Sequence, residues 1–250
     1  MEDKYMGKTR RFACKVVDTT KAKREYVKKF LPREMEIVSR IKHPNIIHVQ
    51  SAFIRGTKYF TIMRYAERGD LLIYLRHRGR VPEGRCRLWA FQLGLALEYL
   101  HRQGIAHRDI KCENVLVTEK RNAKLGDFGF ARKVDRPDVS LTFCGSVAYT
   151  APEVLTGRPY NGRVSDMWSL GVILFVITYN RLPFGLESAK KMAAVIRDTS
   201  VRHLLESNAP GAQPSADLKE TILRLMEKDT IARWTATRLV ESKWIRTDPR

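Results

Sequence analysis

The chain of 250 residues is long enough to bury one large or two small cores, because 44% of its residues are apolar. Its formal net charge of +19 would suit nucleic acid or an acidic membrane surface. The basic residues are spread along the chain without a stripe of arginines and exposed aromatics, so they indicate a solvated surface and no specific nucleic-acid partner. The longest apolar run, residues 171–179, is too short for a membrane span, and we expect none.

The cysteines indicate a reducing compartment. Cys14, Cys86, Cys112 and Cys144 follow neither a metal-ligand spacing nor a disulfide framework. Such usage is typical of an intracellular protein, and no early stretch has the pattern of a signal peptide, so we expect a cytoplasmic location. Neither internal repeats nor a low-complexity tract is visible, and we expect one domain over residues 1–250.

The first quarter of the chain predicts strands and one helix. Residues 12–17 alternate around Lys15, as a strand with one buried face does. Pro32 suits the first turn of a helix that runs to about Lys42, since the missing N–H of proline would have no partner there. The sequence His43-Pro44-Asn45 ends this helix. Residues 46–54 and 58–65 then predict two strands joined by a turn at 55–57.

The remainder of the chain is mostly helical in pattern. Residues 88–100 predict an apolar helix, with Gly104 as its left-handed cap. Residues 115–117 and 123–125 predict a short hairpin. Residues 165–179 are apolar on nearly all sides, which is typical of a helix in the middle of a core. Further helical stretches at 190–196 and 218–227 complete a helical region.

Between these elements lie three short motifs in a fixed order: His-Arg-Asp-Ile-Lys-Cys-Glu-Asn at 107–114, Asp-Phe-Gly at 127–129, and Ala-Pro-Glu at 151–153. Asp109 could accept the proton of a substrate hydroxyl, and Lys111 could reach a transferring phosphate. Asn114 and Asp127 supply oxygen ligands of the kind that Mg²⁺ prefers. Phosphoryl transfer depends mainly on positioning and charge neutralisation, and this set of residues could provide both.

These motifs resemble the catalytic core of a eukaryotic protein kinase, and Lys111 is similar to the serine/threonine branch. Four runs, at 30–35, 109–114, 128–130 and 142–146, resemble the testis-specific serine kinases of the calmodulin-dependent group. The resemblance covers roughly residues 10–246 and implies an α+β fold of two lobes. A truncated N-terminal β lobe would occupy residues 1–65, a helical C-terminal lobe residues 66–250, and ATP with Mg²⁺ the cleft between them.

The resemblance also implies roles in nucleotide binding. Lys15 would bind the α- and β-phosphates, and Glu34 would orient it; Glu36 lies about 200° round the helix. Met63 would stand behind the adenine, the backbone of Ala66 would bind its edge, and Leu116 would lie beneath it. The implied ATP-binding residues are Lys15, Glu34, Ala13, Met63, Ala66, Asp70, Leu116, Asn114 and Asp127, with Asn114 and Asp127 as the metal ligands.

Regulatory and structural roles follow from the same resemblance. Thr142 stands where this family is often phosphorylated, and Arg108 would bind that phosphate. Glu153 would pair with Arg233 and anchor the segment before it. Asp166 would cap backbone groups of the catalytic loop. Ser146 would contact the catalytic aspartate and lysine.

The function implied is a monomeric serine/threonine kinase acting on protein substrates. Asp70 and Glu113 resemble acidic positions that favour basic residues upstream of the acceptor. A glycine-rich loop should lie roughly twenty residues ahead of Lys15, but the fourteen residues before Lys15 contain one glycine, Gly7. Either the sequence is incomplete, which we favour because the downstream catalytic residues are in place, or the chain is a pseudokinase or scaffold with impaired ATP binding.

Overall fold

The computed structural model describes residues 2–5, 8–133, 146–157, 159–185, 188–206 and 213–247. The strands are β1 (Glu2–Tyr5), β2 (Lys8–Asp18), β3 (Val49–Arg55), β4 (Lys58–Arg64), β5 (Ile105–Ala106), β6 (Val115–Val117), β7 (Ala123–Leu125) and β8 (Arg132–Lys133). The helices are α1 (Leu31–Arg40), α2 (Leu71–Arg78), α3 (Glu83–Arg102), α4 (Pro152–Leu155), α5 (Gly162–Tyr179), α6 (Ala189–Asp198), α7 (Val201–Glu206), α8 (Ala216–Leu225), α9 (Ala236–Val240) and α10 (Lys243–Arg246). A small sheet region thus precedes a helical region, as the α+β expectation requires.

The N-terminal sheet has the antiparallel order β1-β2-β4-β3. Strand β2 turns Lys15 toward the protein and leaves Cys14 and Val16 exposed, because successive side chains point to opposite faces. Helix α1 follows a π-helical turn at Tyr26–Phe30. It ends at Arg40, slightly before the expected Lys42, since Ile41 has already adopted an extended conformation.

Strand β3 begins at Val49 rather than at the predicted residue 46. The segment just before it pairs elsewhere: Ile46 forms a bridge with Leu125, and the Ile47 N–H donates to the Leu125 carbonyl at 2.8 Å. Strand β7, to which Leu125 belongs, pairs with β6 in the predicted hairpin. These bonds attach the sheet region to the hairpin that lies between the first two motifs.

Helix α5 is the centre of the helical region, and nearly all of its side chains are buried. Gly171 permits close packing against α8, because a Cβ at that position would lie 2.6 Å from Met226 Cγ. Helix α5 begins three residues before the expected 165, where Asn161 accepts hydrogen bonds from the Arg163 and Val164 N–H groups.

Helix α3 packs against α5 and α9. It extends beyond the predicted 88–100 at both ends, and Gly104 has the expected left-handed conformation with φ of 70°. None of the helices in the described ranges is long and apolar enough to cross a membrane.

Candidate active site

A cavity of about 160 Å³ lies between the N-terminal sheet, α1 and the β6–β7 hairpin. Its walls combine apolar side chains with the charged residues of the sequence motifs. The lining residues are Lys15, Glu34, Val38, Ile47, Val49, Thr61, Met63, Glu113, Asn114, Leu116, Gly126, Asp127 and Phe128. Residues from four distant stretches of the chain therefore meet around one cleft.

The loop after β5 is held by the first turns of α5. Asp166 accepts hydrogen bonds from the His107 N–H at 2.9 Å and from the Arg108 N–H at 2.8 Å. Its carboxylate also contacts His101 Nε2 at 2.9 Å. Arg108 has a left-handed backbone with φ of 64°, an unfavourable conformation for a residue with a long side chain. The buried Asp166 thus stabilises an unusual loop geometry directly before Asp109.

Asp109 is buried, and among the described residues one of its carboxylate oxygens is engaged. Oδ2 accepts from Asn114 Nδ2 at 2.8 Å and lies 3.0 Å from Lys111 Nζ. Within the described residues, Oδ1 has no hydrogen-bond partner although it is buried. Lys111 also donates to Ser146 Oγ at 3.1 Å. The arrangement fixes the carboxylate in orientation and leaves one strong acceptor for a further donor.

Lys15 links two carboxylates across the cleft. Its Nζ lies 2.7 Å from Asp127 Oδ1 and 3.1 Å from Glu34 Oε1. Burial alone would lower the pKa of Lys15, but the charges of Asp127 and Glu34 outweigh it and raise the pKa. Burial would raise the pKa of Asp127, yet the nearby Lys15 ammonium holds it below its usual value. Both groups are therefore ionised at neutral pH.

The donor set fits a divalent cation with phosphate ligands. Asn114 commits its amide nitrogen to the Asp109 carbonyl and carboxylate, so its oxygen is the polar atom left for a cation. Asp127 is ionised, and its side chain is 43% exposed on the cleft side of the ion pair with Lys15. Hard oxygen donors of this type are those that Mg²⁺ prefers, and Lys15 supplies a positive charge for phosphate.

The segment after β4 crosses to the hairpin. Val117 accepts from the Arg68 N–H at 3.0 Å and donates to the Gly69 carbonyl at 2.9 Å. Ala66 is buried, and within the described residues no acceptor faces its N–H. Met63 and Leu116 line the cavity, whereas Ala13, Ala66 and Asp70 are outside its lining. Ala13 lies on the same face of β2 as Lys15.

Two features of the site were not foreseen from the sequence. Asp70 caps α2, since its side chain accepts from the Ile73 N–H at 2.8 Å. The sequence signal was available, because an aspartate just before an apolar helix is a typical N-cap. Tyr26 donates its hydroxyl to Glu34 Oε2 at 2.8 Å. No local pattern predicts that contact, because the π-helical turn changes the helical phase between the two residues.

Two arginines, Arg108 and Arg132, lie close enough to Arg33 to affect its charge, and we call the three residues the arginine cluster. Burial, together with the positive charges of Arg132 and Arg108, lowers the pKa of Arg33. Arg108 is buried and donates through Nε to the Phe130 carbonyl at 2.9 Å. Such a concentration of positive charge is suited to an anion. The expected phosphorylation position, Thr142, lies outside the described residues.

Glu153 and Arg233 form a two-bond ion pair, with Nη1–Oε1 of 2.6 Å and Nη2–Oε2 of 2.9 Å. The pair joins the Ala-Pro-Glu motif to the segment between α8 and α9.

Cys112, within the catalytic loop, is fully buried, and burial raises the pKa of its thiol to about 12. That thiol is therefore a packing group and not a nucleophile.

The chain is similar to known proteins over most of its length. The protein kinase domain family model matches residues 4–245. The chain is 35% identical over 244 residues to testis-specific serine/threonine-protein kinase 1 of Mus musculus, covering 95% of this chain and 66% of the relative. It is 36% identical over 245 residues to testis-specific serine/threonine-protein kinase 3 of Homo sapiens, covering 94% of this chain and 87% of the relative. The chain spans just under two thirds of the first relative's length.

Proposed function

Because this chain belongs to the protein kinase family, we propose that it is a serine/threonine protein kinase, transferring the γ-phosphate of ATP to hydroxyl groups of protein substrates. The observation that carries the proposal is the buried Asp109, with Oδ2 fixed by Lys111 and Asn114 and Oδ1 without a hydrogen-bond partner among the described residues. Lys15, Asn114 and Asp127 line a single cavity next to it.

In the proposed reaction the Asp109 carboxylate accepts the proton of the substrate hydroxyl as the γ-phosphate passes to the hydroxyl oxygen and ADP leaves. Asn114 and Lys111 keep Oδ2 in place, so the acceptor does not rotate away from the substrate. Lys111 lies within reach of both Asp109 and Ser146, which suits it to neutralise charge on the transferring group.

ATP bound with Mg²⁺ supplies the transferable phosphoryl group. Lys15 would hold the phosphates while Glu34 keeps the ammonium in place, and Asn114 and Asp127 would hold the cation. The apolar wall that contains Met63, Leu116 and Val38 suits a flat aromatic base.

A phosphotransfer assay on the purified chain tests the proposal. Asp109→Ala should lower turnover about 10²–10⁴-fold, as expected for the loss of a general base, and retain nucleotide binding. Asp127→Ala should also lose Mg²⁺-dependent nucleotide binding, and Asp127→Asn should be inactive. Asp198→Ala, which removes an exposed carboxylate from a pair with Arg197, is the matched control. Undiminished activity in the Asp109 and Asp127 variants would refute the assignment.

We also propose a preference for Arg or Lys upstream of the acceptor. Glu113 lines the cleft, and Asp70, at the start of α2, forms a backbone bridge with Leu116 of the cleft wall, so both acidic groups lie near the site. Asp70→Asn should keep the helix cap while removing the charge. A peptide library should then lose its basic preference in Asp70→Asn with Glu113→Gln and retain it in Glu36→Gln. A profile without upstream basic selection in the unaltered chain would contradict the idea.

Thr142 is proposed as an activating phosphorylation position. A phosphate adds about −1.5 to −2 charges at neutral pH, and the arginine cluster offers it positive partners. Thr142→Ala should lower activity, and Arg108→Ala should remove the benefit of phosphorylation. Full activity of Thr142→Ala protein would rule out the switch.

The alternative function is a pseudokinase or scaffold module. Such a module would keep the fold of the family and bind protein partners while its ATP binding is impaired. In that case ATP should bind about as well as adenosine and turnover should be slow or absent. Tight binding of Mg·ATP with rapid turnover would exclude this alternative.

We further propose that the protein is a monomer and that it is located in the cytoplasm. Sedimentation would test the oligomeric state, and imaging in cells would test the location.

A further inference from the structure

Glu34 is held from two sides. Its Oε1 accepts from Lys15 Nζ at 3.1 Å, and its Oε2 accepts from the Tyr26 hydroxyl at 2.8 Å. The Glu34 side chain is only 3% exposed, so bulk water cannot readily replace either partner. Each oxygen of this carboxylate therefore has a named donor, and loss of one donor would leave a buried acceptor unsatisfied.

Tyr26 itself is fixed by packing that reaches the Asp-Phe-Gly segment. Its ring stacks on Phe30 at 6.3 Å, and Phe30 meets the edge of Phe130 at 5.5 Å. The hydroxyl would lie 3.5 Å from a Cβ at Gly129, as would Glu34 Oε2. Tyr26 thus lies where α1 comes close to Gly129, two residues after Asp127.

From this geometry we infer that Tyr26 is a positioning residue, whose hydroxyl holds the Glu34 carboxylate in the rotation that presents Oε1 to Lys15. The inference rests on the proposed function, in which Lys15 serves the phosphates of ATP. Lys15 has a competing acceptor, since Asp127 Oδ1 lies closer, at 2.7 Å, than Glu34 Oε1. Without a fixed Glu34, Lys15 remains with Asp127, and both are then withdrawn from phosphate and cation.

The hydroxyl is a donor at any physiological pH. Burial, followed by the neighbouring Glu34 carboxylate, raises the pKa of Tyr26 above its usual value. The tyrosine therefore keeps its proton at physiological pH, and its contribution is one of geometry.

Tyr26→Phe removes the hydroxyl alone, and the chain offers a matched control. Tyr99 accepts a hydrogen bond from the Lys42 N–H at 2.9 Å, just beyond the far end of α1. Tyr99→Phe thus deletes one tyrosine hydroxyl that touches the same helical region but not Glu34. Both variants are compared with the unaltered chain by thermal unfolding, so that measurements are made on folded protein.

The deciding measurement is the affinity for a non-hydrolysable ATP analogue with Mg²⁺ relative to that for adenosine, which has no phosphate for Lys15. Tyr26→Phe should lower this ratio about tenfold, the effect of one hydrogen bond to a charged group, and leave adenosine affinity unchanged. Tyr99→Phe should leave the ratio unchanged. If the protein is catalytically active, kcat/KM for ATP should also fall in the Tyr26→Phe variant and stay unchanged in the Tyr99→Phe variant.

The Glu34→Gln variant tests whether Tyr26 acts through Glu34. If Tyr26 acts through Glu34, adding Tyr26→Phe to Glu34→Gln should lower the ratio no further. An unchanged ratio in Tyr26→Phe, or equal losses in both phenylalanine variants, would overturn the inference while the proposed function stands. An additive loss in the double variant would also overturn it. An unaltered chain that binds neither adenosine nor the ATP analogue would overturn the proposed function and this inference together.

Discussion

Removing Arg233 should destabilise the fold far more than removing an exposed arginine. The Arg233 side chain is 0% exposed and that of Glu153 is 16% exposed. Besides its two bonds to Glu153, Arg233 donates to the Glu227 carbonyl at 2.7 Å and to the Val164 carbonyl at 3.1 Å. Arg233→Ala therefore leaves a largely buried carboxylate without its counter-charge and two carbonyls without their donor.

Breaking a buried ion pair from one side typically costs about 3–5 kcal/mol, because the remaining charge stays desolvated. The Arg233 guanidinium also lies 5.3 Å from the Trp168 ring centroid, so packing is lost together with charge. For a protein of this size, a loss of roughly 4 kcal/mol corresponds to a fall in Tm of about 10 °C.

Urea unfolding followed by tryptophan fluorescence provides the assay, with Arg224→Ala as the matched control. Arg224 Nε lies 2.7 Å from Glu220 Oε1, but these side chains are 50% and 45% exposed. Such exposed pairs contribute roughly 0.5 kcal/mol or less. Similar losses of stability in Arg233→Ala and Arg224→Ala would show that burial does not set the strength of the Arg233 pair.

Three further predictions concern packing, pH and the catalytic loop. Gly171→Ala should destabilise, because the overlap with Met226 costs about 1–3 kcal/mol and outweighs a helix-propensity gain of roughly 1 kcal/mol; Gly84→Ala, with open space around the added methyl, should not destabilise in the same urea titration. Burial would raise the pKa of Asp127, but the lysine beside it holds the pKa below its usual value. The stability that this group contributes is therefore present above its unfolded pKa of about 3.9 and lost as the pH falls through the folded value. Asp127→Asn protein should therefore lose less stability than the unaltered protein as the pH falls below about 4. An equal loss of stability in both proteins would contradict the predicted direction of the pKa shift. Asp166→Ala leaves two buried N–H groups without an acceptor and should cost at least about 2 kcal/mol, measured by thermal unfolding; a neutral result would mean that water replaces the carboxylate.

Features set by local chemistry could be predicted from the sequence. The all-round apolar pattern of α5 indicates a central helix, and the structure buries nearly every residue of it. Gly104 has the predicted left-handed backbone, since glycine carries no Cβ to oppose it. The order of the motifs also indicated the kinase family, which the match over residues 4–245 confirms.

Contacts between distant segments were decided only by the tertiary structure. Strand β3 begins late because Ile46 and Ile47 bond to Leu125, nearly eighty residues further along the chain. The π-helical turn brings the Tyr26 hydroxyl to Glu34, although neither residue carries a local signal for the other. Helical and strand periodicity describe which face of a segment is apolar, but not what that face meets. The partners of Glu34 depend on how α1 packs against strand β2 and on the turn at Tyr26–Phe30, and periodicity describes neither.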